Sequence, residues 1–219
     1  MDQIFLPLLH CRLFHRISAD NIPAMLKCLN AKTISFKKDE FIFREGQTAR
    51  YFGIILSGSV QIVKEDFYGN RNILARMTQS EIFGESFACA HVDAVPINVI
   101  ASEDCTVLFL NCLQITNTCS NNCSFHKQII YNLLCDIAAK NIAFQQKIEI
   151  TSKRTTREKI MAYLTAQSRL HQSRSFSITY NRQELADYLE VERSAMSAEI
   201  SKLKKEGIIQ CTKSNFTIL

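Results

Sequence analysis

No stretch of the 219-residue sequence sustains the roughly 20 apolar residues that a membrane-spanning helix needs. The opening segment, MDQIFLPLLHCRLFHRI, is apolar but short and interrupted, and no small-residue cleavage site follows it, so it makes a poor signal peptide. A cytoplasmic protein with no membrane partner is expected. Internal repeats and low-complexity segments are missing. So are glycine-rich phosphate loops, metal-spaced histidine clusters and nucleophile elbows, which argues against an enzyme. Nine cysteines stand at positions 11, 28, 89, 105, 112, 119, 123, 135 and 211, an odd number without a CxxC pair. Cys119 and Cys123 are the closest spacing. Structural zinc and iron–sulfur sites usually show tighter pairs, so no metal ligand is assigned. The thiols read as reduced and mostly structural, with a metal or redox-sensing role as the alternative.

What is present is ordinary globular material, 47% hydrophobic and 21% charged, long enough for one large or two small domains. The net charge of +5 is unevenly spread. Residues 1–148 hold 14 Lys and Arg against 13 Asp and Glu, whereas residues 149–219 hold 12 against 8. A basic C-terminal third is what contact with nucleic acid requires.

Residues 4–30 read as helical, with a start at Ser18-Ala19-Asp20-Asn21 and a buried stripe of Ile22, Met25, Leu26 and Leu29. From Ala31 to Leu110 the texture changes to short strands. These are Thr33–Phe36, Glu40–Phe43, Tyr51–Ser57, Ser59–Lys64, Arg71–Met77 and Thr106–Leu110, punctuated by Gly46, Gly58, Tyr68-Gly69-Asn70 and Gly84. Strands of this kind predict a small barrel, jelly roll or roll. From Asn121 to Ile150 no Gly or Pro occurs, which predicts one long helix. Ile130, Leu134, Ile137, Asn141, Phe144 and Ile148 step by 4, 3, 4, 3 and 4 along it, a seam for an identical helix. The alternative is a helix packed on its own domain. A further helix over ITSKRTTREKIMAYLTAQSRL is expected to bury Ile160, Leu164 and Leu170.

The segment Asn181–Ile209 reads as two short helices about a tight Glu190-Val191-Glu192 turn. Asn181 three residues before Glu184 forms a capping-box variant, and Leu185, Ala186 and Leu189 give the first helix its apolar face. In the second helix Met196, Ile200 and Leu203 share one face. Arg193, Ser194, Ser197, Ala198 and Ser201 share the other, a surface on which backbone can approach a DNA groove while Arg reaches a base or phosphate. Lys202, Lys204 and Lys205 suit the helix C-terminus and, with Arg182 and Lys213, are phosphate candidates. An ordinary amphipathic hairpin is the competing reading. Strand-like residues 175–180 and a hairpin from Ile208–Gln210 and Phe216–Leu219 add a wing.

The order of these parts, and the motifs FREGQ (43–47), LSGSVQIVKED (56–66), IFGES (82–86), KIEITSKRTTREKIMAYL (147–164) and RQELADYLEVERSAMSAEISKLKKEGII (182–209), resemble the Crp/Fnr family of bacterial transcription regulators. The resemblance covers essentially the whole chain. It implies an α+β fold: an N-terminal β-roll of the cyclic-nucleotide-binding type (a double-stranded β-helix) with N-terminal helices over 1–120, a dimerisation helix over 121–150, and a winged helix-turn-helix over 151–219. It further implies a homodimer on a palindromic operator in double-stranded DNA, RNA polymerase as a partner, and regulation without catalysis. Arg193 falls on the family's first base-reading position, and Ser194 and Ser197 on the next. Well-studied members often carry Glu and Arg where Ser194 and Ala198 stand, which implies a different operator. Glu190 replaces a turn position that is often Gly.

For the effector, the resemblance implies a pocket in the roll beside the long helix. Cyclic-nucleotide binders hold the phosphate with a Gly-Glu turn and a later Arg-Ser pair. Gly84-Glu85, followed by Ser86, matches the turn, although Glu85 alone also reads as a carboxylate bonding a strand turn. The Arg-Ser pair falls on Val95-Pro96, followed by Ile97, and the base-facing helix positions fall on Phe144-Gln145. A missing Arg removes a charge-assisted partner worth about 2–3 kcal/mol. An unidentified small-molecule effector other than cyclic AMP is therefore expected. Cys11 and Cys28 do not reproduce the cysteine set of iron–sulfur relatives, and His91 and His126 are as well read as ordinary histidines as heme ligands. Phe83, Phe87, Val95, Ile97, Val99 and Phe144 would bound an apolar ligand pocket or simply fill a core. A ligand- or partner-binding module with a degenerate DNA-binding domain is the alternative function.

Overall fold

The computed structural model of the protein describes residues 2–65, 71–116, 124–178 and 180–219. The Tyr68-Gly69-Asn70 turn, Cys119, Cys123, Thr179 and the expected start of the long helix at Asn121 lie outside the described residues. The chain forms two compact units, 1–139 and 140–219, whose division falls inside the long helix.

In the first unit α1 (Asp2–His10) and α2 (Ile22–Cys28) are joined through short 3-10 turns. Ile22, Met25 and Leu29 of the expected stripe are fully buried and Leu26 is half-buried. Two antiparallel sheets follow. One has the order β1 (Lys32–Phe36), β8 (Cys105–Asn111), β3 (Tyr51–Ser57), β6 (Ile82–Phe83). The other has β2 (Phe41–Phe43), β7 (Asn98–Ala101), β4 (Val60–Glu65), β5 (Arg71–Met77). The six expected strands are all present, with ends displaced by a residue or two at most.

In the first sheet β1 is largely exposed, whereas the neighbouring strands β3 and β8 are buried on both faces. Phe52, Ile54, Leu56, Leu108 and Leu110 join the core under the helices, while Ile55, Val107 and Phe109 join the core between the sheets. Because successive side chains on a strand point to opposite faces, such strands must be apolar throughout, as YFGIILS and TVLFL are. Gly53 pairs with Phe83 on one side and Phe109 on the other. A Cβ at Gly53 would overlap the Phe83 ring and stand 2.8 Å from Val107 Cγ1, so the absent side chain is what seats that ring.

The sequence did not announce β6, β7, α3 (Glu85–Cys89) or α4 (Cys112–Thr116). Strand β6 has two residues, and every residue of β7 is buried, leaving no polar alternation to read.

The long helix, α5, spans Ser124–Thr151. Ile129 and Leu133 face the first unit's core, and buried Asn132 donates through Nδ2 to the carbonyls of Leu13 and His15, both at 2.8 Å.

The second unit packs α6 (Thr156–Leu170), α7 (Arg182–Leu189) and α8 (Arg193–Lys205) with a three-stranded antiparallel sheet, β10 (Ile209–Thr212), β11 (Asn215–Ile218), β9 (Ser175–Ser177). Its core includes Ile160, Leu164, Leu185, Leu189, Met196, Ile200, Leu203 and Phe216. Leu170 was expected inside and is 74% exposed: it is the last residue of α6, one step beyond the packed turns. The α+β architecture expected from the sequence is the one observed.

Candidate nucleic-acid interface and effector site

Helix α8 divides as its pattern demands. Met196 and Leu203 are fully buried and Ile200 nearly so, whereas Arg193, Ser194, Ser197, Ala198 and Ser201 are exposed on the opposite side. Short side chains there let another molecule reach the helix backbone, and Ser201 satisfies its own hydroxyl by donating to the Ser197 carbonyl at 2.9 Å. Helix α8 begins without a side-chain cap, because Glu192 stands where an Asn or Ser would bond the first amides. The first N–H groups of α8 thus keep their attraction for an anion.

Helix α7 is capped fully. Asn181 Oδ1 accepts from the backbone N–H of Gln183 (2.9 Å) and Glu184 (3.0 Å), and Glu184 accepts from the Asn181 N–H at 2.8 Å. At its other end Glu190 takes the left-handed conformation (φ 54°, ψ 55°) that Gly would adopt without strain.

Two side chains that sequence reasoning passed over hold this hairpin in place. Lys159, on α6, donates through Nζ to the carbonyls of Leu189 (3.2 Å) and Glu190 (3.3 Å). Arg157 donates to Glu206 at 3.0 Å and meets Glu199 on α8 at 3.4 Å. The Glu206 carboxylate raises the Arg157 guanidinium above its ordinary value, and the guanidinium in turn holds Glu206 below the usual carboxylate range. Both residues lie within the KRTTREK run, but their partners are 30 to 49 residues away, and nothing local signals that pairing.

The cations fall into two groups. Lys204, Lys205 and Lys213 are exposed, Lys213 at the β10–β11 turn with φ 54°, and Lys202 is exposed while pairing with Glu199 at 3.5 Å. Arg182 is different: it is half-buried with its guanidinium over the Phe216 ring (5.1 Å) and 3.5 Å from Cys211 Sγ, and its Nη1 is buried without a hydrogen-bond partner.

In the first unit Gly84 adopts φ 79° between β6 and α3, where a Cβ would lie 2.6 Å from the Phe43 ring. Glu85 opens α3 and is 4% exposed, while Ser86 is exposed. Val95 is buried and bridges the opposite turn, donating to Gln47 O and accepting from Gly46 N, both at 2.9 Å. Pro96 is exposed and Ile97 is buried. Phe83, Ile97 and Val99 belong to the packed core between the sheets, with Phe87 against it. Phe144 and Gln145 are exposed on α5, and Gln145 donates to Asn141 Oδ1 at 2.8 Å. His91 is exposed; His126 is buried, stacks on Phe125, and keeps an Nδ1 without a hydrogen-bond partner. Among the described residues no three His, Cys, Asp or Glu side chains gather as metal ligands, and no helix is long and apolar enough to cross a membrane.

Residues 33–122 match the family model "Cyclic nucleotide-binding domain", and residues 158–219 match "Crp-like helix-turn-helix domain". The chain belongs to the Crp/Fnr-type transcription regulators.

Solved Crp/Fnr-type structures share the fold across nearly the full length. The CLP regulator of Xanthomonas campestris, described as c-di-GMP responsive, is 16% identical over 92% of this chain and 99% of its own, with a TM-score of 0.60. FixK2 of Bradyrhizobium japonicum is 19% identical over 86% and 92%, with a TM-score of 0.51. The catabolite activator protein of Thermus thermophilus is 18% identical over 95% and 93%, with a TM-score of 0.50. No curated protein matches the sequence. As a Crp/Fnr-type regulator the protein carries a DNA-binding helix-turn-helix and an effector-binding domain.

Proposed function

We propose that the protein is a homodimeric, sequence-specific regulator that reads a palindromic operator through α8, under control of a small molecule other than cyclic AMP. The observation that carries this reading is the exposed Arg193, Ser194, Ser197 and Ser201 face on a helix whose other side is locked by Met196, Ile200 and Leu203. Arg193 reads base edges, while Lys202, Lys204, Lys205 and Lys213 bind phosphates. Two-fold symmetry supplies half-sites about 34 Å apart. Leu134, Phe144 and Ile148 of the α5 seam are each more than 60% exposed in the single chain, with Asn141 beside them, which supports a second copy covering that face. Ile130 and Ile137 are half-buried against their own domain and contribute less.

The effector reading rests on Val95. An apolar, buried residue stands where a cyclic phosphate would need a cation, so the ligand of this roll is one that makes no such demand. The cytoplasm is the compartment and RNA polymerase the protein partner that this reading implies.

The test is a gel shift against promoter DNA with the native chain and Arg193→Ala. Loss of one bidentate base contact, about 1–3 kcal/mol, would weaken specific binding roughly 5- to 150-fold while leaving the steep salt dependence. Unchanged, equally selective binding by Arg193→Ala would remove α8 as the reading element.

A further inference from the structure

Two cysteines 23 positions apart meet in the first unit. Cys89 closes α3 and Cys112 opens α4, and their Sγ atoms stand 2.7 Å apart as thiols. A formed disulfide is about 2.04 Å long, so an approach of about 0.7 Å would join them. Cys112 is 3% exposed and Cys89 is half-buried. Helices α3 and α4 pack on one another, and both cysteines belong to the core beneath the first sheet.

We propose that Cys89 and Cys112 form a reversible disulfide when the protein meets a two-electron oxidant of the peroxide class. One sulfur, as thiolate, attacks a peroxide oxygen and becomes a sulfenic acid, and the released hydroxide takes up a proton as water. The other sulfur then attacks that sulfenic sulfur and displaces its hydroxyl as a second water, closing the S–S bond. Overall two thiols and one hydrogen peroxide give one disulfide and two waters; the sulfurs lose two electrons and the peroxide oxygens gain them.

The hydrogen bond between the two sulfurs holds Cys112 below the ordinary thiol range and Cys89 above it, which makes Cys112 the more readily ionised of the pair. The product would tie α3, which begins immediately after Gly84, to α4, which follows β8. The bond therefore forms beside the turn that the resemblance assigns to the effector.

The experiment treats the purified full-length chain with hydrogen peroxide, alkylates the remaining thiols in denaturant, and maps the peptides by mass. The expected result is one cross-linked species carrying Cys89 and Cys112, two hydrogens lighter than the two thiol peptides and separated by dithiothreitol. In Cys89→Ser that species disappears while the other seven non-participating cysteines map as before. Recovery of Cys89 and Cys112 as separately alkylated peptides after oxidation, or coupled to other cysteines, would overturn the proposal. The mapping is done on the native sequence, so the outcome does not depend on how a variant folds.

Discussion

The Lys159 ammonium donates to the backbone carbonyl of Glu190 across 3.3 Å, placing a cation on the one residue of the helix-turn-helix turn whose backbone is left-handed. A positive charge at a helix C-terminus meets the negative end of the dipole and also bonds carbonyls that the helix itself cannot satisfy. The turn thus tolerates a non-glycine residue partly because a side chain from another helix reaches it.

Replacing that residue tests the strain directly. Glu190→Gly is expected to raise the unfolding midpoint in urea, by about 1 kcal/mol of stability, with an unchanged slope. Lys159→Met, which keeps the aliphatic stem, is expected to lower it by about 0.5–1 kcal/mol. A neutral or destabilising Glu190→Gly would mean that the conformation costs this turn nothing.

Asn181 supplies the second test of the hairpin. Its side chain satisfies two backbone donors at the start of α7, and Ala in its place would cost about 1 kcal/mol. Thermal melts of Asn181→Ala beside Asn181→Ser check this: Ser should restore most of the loss.

The second unit should be acid-sensitive. The Thr155 backbone N–H holds Glu158 below the usual carboxylate range, and Arg157 does the same to Glu206. A carboxyl whose folded value is depressed contributes stability above its unfolded value, near pH 4.3, and loses it as pH falls through the folded one. Stability should therefore decline as pH drops below about 4.5, and Glu158→Gln with Glu206→Gln should flatten that decline. Both groups are exposed, so added salt should shrink the Glu206 contribution most. A pH profile identical in the double variant would contradict the assignment.

The exposed seam of α5 yields a fourth prediction. Phe144→Glu with Ile148→Glu places like charges where an identical helix is proposed to lie, and native mass spectrometry should then show single chains where the unaltered protein shows pairs. A monomeric unaltered protein would defeat the homodimer outright.

Much of this was legible from residue order. Met196, Ile200 and Leu203 announced the buried side of α8, and the Asn181–Glu184 spacing announced the capping box of α7, because each is a local signal. Thr155 and Glu158 carry the same signature at the start of α6 and could have been read equally well. What stayed hidden was long-range. The Arg157–Glu206 pair, the Lys159 contact with the turn, and the folding of Arg182 onto Phe216 all join residues brought together only by packing. Leu170 was misplaced because periodicity does not say where a core ends. In the first unit no local pattern marked β7 or the meeting of Cys89 with Cys112.

The vacancy at Gly53 reaches further than its own strand. It accommodates the Phe83 ring, and Phe83 is the residue immediately before Gly84. A side chain at position 53 and the Phe83 ring compete for one space across 30 residues of sequence, so position 53 cannot enlarge while the ring stays in place. Homologous regulators that enlarge position 53 should shrink position 83, and a survey of natural variants would find the two changing in step. That exchange gives a lineage a way to shift the turn at Gly84 without changing the turn itself.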